Sequence, residues 1–398
     1  MFASPRNIRP YIRRRRAVAM AALSGILLVT GPAMTARQRE TALPAPPAGG
    51  TMGFVINEAI SPVIQGPDAC PDGTALKLRE QFLALQPEAE RARLSLKENE
   101  PEANRKWQAR IFGPGGTNVC SQPDLFPDRP AMRTVQSRFA MGMDLDQGGS
   151  ADTCQHENYT SPQGETGIDN QEYRTMGCTR EWRGTDGIKG DMAVGMRQFH
   201  ASGEWTQVLL LRGVDSLEND PSVEVIYANT PDRPPVDSMG NFLRGASFTI
   251  SGEAPRNRNV LRGQIVNGVL TTQPSDIKLT QTWGQGGARD IRGVRTKYDY
   301  RQGRLRLRFQ PDGSLLGMMG GYRPLHDIIQ SPMLGGAGSA IVAGIDCAQV
   351  LQTLQQNADG LKDRKTGKCN GISSTLQISA VPAYVNDVPP ASQRTAVR

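Results

Sequence analysis

The spacing of apolar positions changes along this chain, and each change marks a region. Between Thr74 and Phe112 the spacing is helical. Leu76, Leu78, Phe82, Leu83 and Leu85 form a rough amphipathic face after the turn Pro71-Asp72-Gly73. Pro87 and Pro101 open the acid-rich starts PEAE and PEAN, where a first-turn proline belongs. Two or three short helices are predicted, packed as a cap on the main fold through Leu94, Trp107 and Ile111.

Further on the period is close to two. Phe139 to Leu145 alternates loosely and reads as a strand that runs into an acidic loop. Trp205 to Arg212 and Val223 to Tyr227 flank GVDSLENDPS as a hairpin with a polar tip. In QIVNGVL, Asn267-Gly268 supplies the pair of positive-φ residues that a tight type I′ turn requires. Turns at Gln302-Gly303 and Pro311-Asp312-Gly313 predict a three-stranded meander from Lys297 to Tyr322. Within it Leu305, Leu307 and Phe309 face a core, while Arg304, Arg306 and Arg308 face away. Asp346 is placed to cap a helix from Cys347 to about Asn357, with Val350, Leu351 and Leu354 inward and Gly360 as the stop. Thr375 to Tyr384 reads as a closing strand. The fold class that follows is mainly β, an antiparallel β-sandwich or jelly-roll-like barrel, with a helical N-terminal cap and one C-terminal helix.

The N-terminus has a different character. Arg6, Arg9 and Arg13 to Arg16 precede an apolar run, Ala17 to Thr30, and small residues follow at Gly31, Ala33 and Ala36. That is the layout of a secretory signal peptide over residues 1–36, its apolar run shorter than the roughly 20 residues that a bilayer demands. Six of the seven net positive charges are these arginines, which leaves about +1 for the remainder and removes the basis for expecting a nucleic-acid partner. Residues 37–66 read as a flexible Pro/Gly/Ala-rich linker, with an edge strand at most in GFVINEAISPVI because of Pro62. Residues 67–130 are then the helical cap and 131–398 a disulfide-stapled β domain. The membrane is a partner only through the N-terminal segment, if that segment is uncleaved.

All six cysteines, Cys70, Cys120, Cys154, Cys178, Cys347 and Cys369, lie beyond that segment. An even count in an exported chain reads as disulfides, and proximity predicts the pairs Cys70–Cys120, Cys154–Cys178 and Cys347–Cys369. Their spacings carry no zinc, haem or thiol-redox signature, and no phosphate loop marks a nucleotide site. His156, His200 and His326 make no H-E-x-x-H pattern, and no G-x-S-x-G surrounds a serine.

Candidate chemistry concentrates between Asp144 and Glu172. This stretch holds seven carboxylates (Asp144, Asp146, Asp152, Glu157, Glu165, Asp169 and Glu172) and no Lys or Arg. Its acids call for cations brought from elsewhere. Calcium is the candidate ion, since a hard dication needs several oxygens from a turn that wraps it. Against the EF-hand loop, Asp144, Asp146, Gly149 and Asp152 fit positions one, three, six and nine, whereas Gly148 and Gln155 depart from five and twelve. A looser site, completed by Asp169 or Asn170 from across the loop, is expected. His156 within this loop reads as an ion-paired histidine with a raised pKa. The arginine stripe at 304, 306 and 308 reads as a solvated face or a pairing partner for the chain's own acids.

The DLD of 144–146, the following cysteine and QGETGIDNQ-x-Y-R-x-x-G-C resemble a pattern in uncharacterised exported bacterial proteins. The resemblance extends over the middle third of the chain, through GVDSLENDPSVEV and LRLRFQPDGSLLGMMGGY. It implies a periplasmic or cell-surface setting and no particular activity. An exported binding or structural module of unknown envelope or extracellular ligand is therefore expected. The alternative is an envelope carbohydrate-active enzyme, with Glu157, Glu165 or Asp169 supplying a carboxylate pair.

Overall fold

A computed structural model describes residues 42–127, 129–184, 190–251, 256–283, 294–330, 340 and 343–387. The expected signal peptide and the first residues of the expected linker lie outside the described residues. In chain order the strands are β1 (Met52–Ile60), β2 (Tyr159–Thr160), β3 (Thr166–Ile168), β4 (Gln207–Arg212), β5 (Asn219–Asn229), β6 (Ser247–Thr249) and β7 (Arg258–Val266). They continue as β8 (Val269–Thr272), β9 (Ser275–Trp283), β10 (Val294–Phe309), β11 (Leu315–Pro324), β12 (Gly360–Lys362) and β13 (Cys369–Asn386).

Eight of these strands form a closed antiparallel ring. The pairing runs β1, β4, β5, β7, β8, β10, β11, β13, and β13 returns to β1 with Gly53 opposite Ala383 and Ile60 opposite Gln377. The mainly β, antiparallel fold is thus present, and the pairing of β13 with β1 closes the ring on itself. Alternation decides what fills it. Phe54, Ile56, Leu209, Leu211, Val225, Tyr227, Leu305, Leu307, Phe309, Leu315 and Met319 share one interior core, as expected for an eight-stranded ring just wide enough for side chains. The opposite faces of β1, β4, β5 and β13 are apolar too, and Phe248 of β6 packs on Val55, Val208, Leu210 and Ile226. That second contact explains why β4 reads as an uninterrupted apolar run.

Several local expectations hold. Asn267 (φ 50°) and Gly268 (φ 74°) make the β7–β8 hairpin. Gly313 (φ 80°) turns β10 into β11. Three short helices, α1 (Leu78–Ala84), α2 (Glu88–Leu94) and α3 (Glu100–Gln108), occupy the expected stretch. They are followed by α4 (Gln171–Met176), α5 (Arg180–Arg183), α6 (Asp191–Ser202), α7 (Leu325–Ile329) and α8 (Cys347–Gln356). The side chain of Asp346 accepts a hydrogen bond from the Gln349 amide and caps α8, which buries Val350, Leu351 and Leu354.

Other expectations are corrected. Residues 52–60 are not linker or edge. β1 lies buried between β4 and β13, because Pro62 falls beyond the strand and removes no ladder bond. Gln302-Gly303 is not a turn but a bulge at which the long β10 bends, with Gln302 at φ 51° and the register shifting on both sides. Phe139 to Leu145 makes only isolated bridges, Phe139 with Thr160 and Met143 with Asp169. The boundary between cap and β domain shifts as well. Tyr159, Tyr173, Met176, Leu325, Val350 and Leu354 share a core with Leu78, Leu94 and Trp107. Tyr159, α4, α7 and α8 of the expected β domain therefore share the core of the helices and not the interior of the ring.

The three disulfides join Cys70 to Cys178, Cys120 to Cys347 and Cys154 to Cys369. All six cysteines pair, and all three proximity pairings are overturned. The shared core of the cap brings the 67–125 stretch against α4 and α8, so Cys70 meets Cys178 and Cys120 meets Cys347, while Cys154 reaches Cys369 where its segment bonds Asp359 and Lys362 beside β12.

Candidate acidic-loop site

The stretch from Asp144 to Glu172 lies against the outside of the ring over β10 and β11, and the alternation of β10 provides its anchor. Arg304 donates to the carbonyls of Asp144 (3.3 Å) and Leu145 (2.6 Å). Arg306 donates to Glu165 at 2.7 and 3.0 Å and to the Gly142 carbonyl at 3.1 Å. Two of the three stripe arginines thus bind the loop, and Arg308 bonds the Asn267 carbonyl. Close approach is possible because residue 320 is glycine: a Cβ there would stand 2.7 Å from the Met143 methyl and 3.3 Å from Leu145 Cδ2. The far side of the loop is tied to the start of β13 through Cys154–Cys369. The Cys154 amide also donates to the Asp359 carbonyl at 2.9 Å, and Lys362 N to the Asp152 carbonyl at 3.1 Å.

The seven carboxylates divide into two groups. Glu165 pairs with Arg306 and Glu172 with buried Arg323 at 2.6 Å. Glu157, 90% exposed, lies 3.8 Å from Arg174, and exposed Asp152 lies 3.7 Å from Arg364. Asp144, Asp146 and Asp169 remain. Each can offer one oxygen such that all three lie within 4.8 Å of one another. Among the described residues none of the three has an Arg or Lys ion-pair partner, and Asp144 Oδ1 is buried without a hydrogen bond. Of the five predicted ligands these three converge. Asp152 is outside the cluster, and Asn170 is turned away, accepting from Tyr173 N as the cap of α4 and donating to the Met141 carbonyl at 2.8 Å.

Asp169 is the hub. Its Oδ2 accepts from Leu145 N at 2.6 Å and Asp146 N at 3.3 Å, while Oδ1 faces His156 Nε2 at 2.8 Å. Asp359, the residue before β12, brings Oδ2 to 3.6 Å from the same nitrogen. The loop histidine is ion-paired, as expected. Burial pulls its pKa down, but the Asp169 hydrogen bond, the Cys154 carbonyl and the Asp359 charge outweigh burial and raise it to about 9. Burial pushes Asp359 up to about 6, against Ser373 and His156, which lower it. Beside these groups the Tyr322 ring lies against Gly360, where a Cβ would come within 2.1 Å of it. Burial, and then the charges of Asp359, Asp169 and Asp146, hold its phenol well above the usual range. Asp359 and Tyr322 were missed in the sequence. Neither belongs to a motif, and Asp359 sits beside Gly360, which reads in the sequence as a helix stop but is the first residue of β12, three residues beyond the Asn357 cap of α8.

Of the carboxylates considered for glycoside cleavage, Glu157 is exposed, Glu165 is held by Arg306 and Asp169 is buried. A groove of about 660 Å³ opens elsewhere, between Pro123, Leu125, Leu325, His326, Ile329 and Asn370. Asp124 is the one carboxylate among its lining residues.

Comparison with known proteins finds no matching family model, no curated relative and no similar solved structure.

Proposed function

We propose that this protein is an exported binding or structural module, acting in the periplasm or at the cell surface, in which a divalent cation orders the acidic loop. Calcium is the ion that fits an all-oxygen set on a turn. The observation that carries this reading is the meeting of Asp144, Asp146 and Asp169, which among the described residues have no Arg or Lys ion-pair partner, with a buried oxygen of Asp144 left unbonded. Three carboxylates this close repel one another, and an ion between them turns that cost into attraction. Three long-range disulfides support an oxidising compartment. Among the described residues no helix is long and apolar enough to cross a membrane.

Thermal unfolding in millimolar calcium and then in chelator tests the reading. At 100 times its Kd the ion adds about 2.7 kcal/mol, a rise of several degrees. Asp144→Asn and Asp146→Asn should each reduce that rise while leaving the melt in chelator close to wild type. A midpoint indifferent to calcium, or an equal rise in the variants, removes the cation from the proposal.

A further inference from the structure

Next to the all-oxygen cluster the fold assembles a second set of donor atoms with different chemistry. His156 Nδ1 bonds the Cys154 carbonyl at 2.9 Å, which fixes the ring and turns Nε2 towards Asp169 and Asp359. A backbone carbonyl on one ring nitrogen is the usual device by which proteins aim the other at a metal. Asp359 is held in the same way. Its Oδ1 accepts from the Ser373 amide at 2.6 Å, and its Oδ2 is buried, unbonded and directed at the histidine. One atom from each of the three residues lies within 4.8 Å of the others, and Asp169 and Asp359 are fully buried.

The mount is also rigid: His156 is two residues from the Cys154–Cys369 disulfide, and Asp359 N donates to the Gly371 carbonyl on β13.

We propose that His156 Nε2, Asp169 Oδ1 and Asp359 Oδ2 bind a divalent first-row transition ion, zinc being the one suited to a three-ligand N/O set with an open fourth position. The site goes beyond the calcium reading and is separable from it. His156 and Asp359 belong to it alone, Asp144 and Asp146 belong to the oxygen cluster alone, and Asp169 is shared. The buried, unbonded hydroxyl of Tyr322 lies beside the same carboxylates and is the group available to a water on the open position.

The test titrates the disulfide-bonded protein with zinc chloride, following the melting midpoint, and with cobalt(II), following visible absorption, each with and without calcium. The expected result is one saturable ion per chain. Asp144→Asn should keep the zinc response and lose the calcium response. His156→Gln and Asp359→Asn should weaken zinc at least about tenfold, since losing even an outer-shell partner costs about that much, while a retained calcium response shows that they fold. Wild-type protein that binds no zinc or cobalt overturns the proposal. So does zinc binding that is unchanged in His156→Gln and Asp359→Asn, or lost together with calcium in Asp144→Asn. A failure of calcium alone leaves this site standing, and a failure of zinc alone leaves the oxygen cluster standing.

Discussion

The ring and the layer laid over it are held together by different physics. The ring relies on register: each strand pairs antiparallel with its neighbours, and its interior is filled by alternating Leu, Ile, Val, Phe and Tyr with no disulfide across it. The layer of helices and acidic loop has few strand ladders. Three cross-links secure it instead, spanning 108, 227 and 215 residues, together with arginines that reach it from β10 and β11. A ring that satisfies its own backbone can carry a layer whose polar groups are arranged for something other than stability. The unbonded buried oxygens of Asp144, Asp359 and Tyr322 are all in or against that layer.

The contrast is broken most severely by cutting one staple. In the chain-entropy treatment a cross-link spanning about 200 residues contributes about 5 kcal/mol, so Cys154→Ser with Cys369→Ser should lower stability by an amount of that order. The calcium response should fall with it, because the loop loses its tie to β13. Denaturant unfolding with and without calcium measures both. An unchanged calcium response would show that the arginines of β10 alone position the loop.

Leu307→Ala makes the complementary cut. It removes a fully buried side chain from the ring interior and should cost about 3 to 4 kcal/mol. Cation binding to the folded protein should not change. If it does, ring and layer are one cooperative unit and the distinction between them fails.

His200, on α6, sharpens the comparison through pH. Burial holds its pKa down at about 4 despite the nearby backbone carbonyls of Ala59 and Trp205, which raise it, and its ring stacks on Trp205 at 5.1 Å. The unfolded chain takes up this proton near pH 6.5, whereas the fold refuses it until about 4. His200 therefore takes stability away as the pH falls through that window, by up to about 3 kcal/mol. His200→Phe should flatten the acid limb of a stability profile relative to wild type. Parallel profiles would mean that the buried imidazole accepts the proton in the folded state.

What could be read in advance follows the same division. The ring announces itself locally: Asn267-Gly268, Pro311-Asp312-Gly313 and the Leu/Arg alternation of β10 depend on neighbours in sequence and stand as expected. The layer depends on distant partners. Cys70 cannot signal that it will meet Cys178, nor Asp169 that Asp359 will arrive from 190 residues away, because those meetings are made by the shared core around Trp107, Tyr173 and Leu354. β1 was hidden for a related reason. The Pro62 that suggested an edge lies outside the strand, and a strand between two partners cannot be told from an edge strand by its own residues.

The smallest expected effect concerns the seam between the two regions. Arg306 and Glu165 meet at 2.7 Å, with side chains 31% and 44% exposed, so water screens the pair. A double-mutant cycle with Arg306→Ala and Glu165→Ala should return a coupling under about 1 kcal/mol. Arg304 is different, because it donates to two backbone carbonyls in the turn that presents Asp144, and its replacement leaves those carbonyls to find other donors. Arg304→Ala should therefore weaken calcium binding more than Arg306→Ala does, although neither arginine belongs to the oxygen cluster. Equal effects on calcium would mean that the seam acts through charge alone, and that the turn from Asp144 to Asp146 takes its shape from Asp169 without help from the ring.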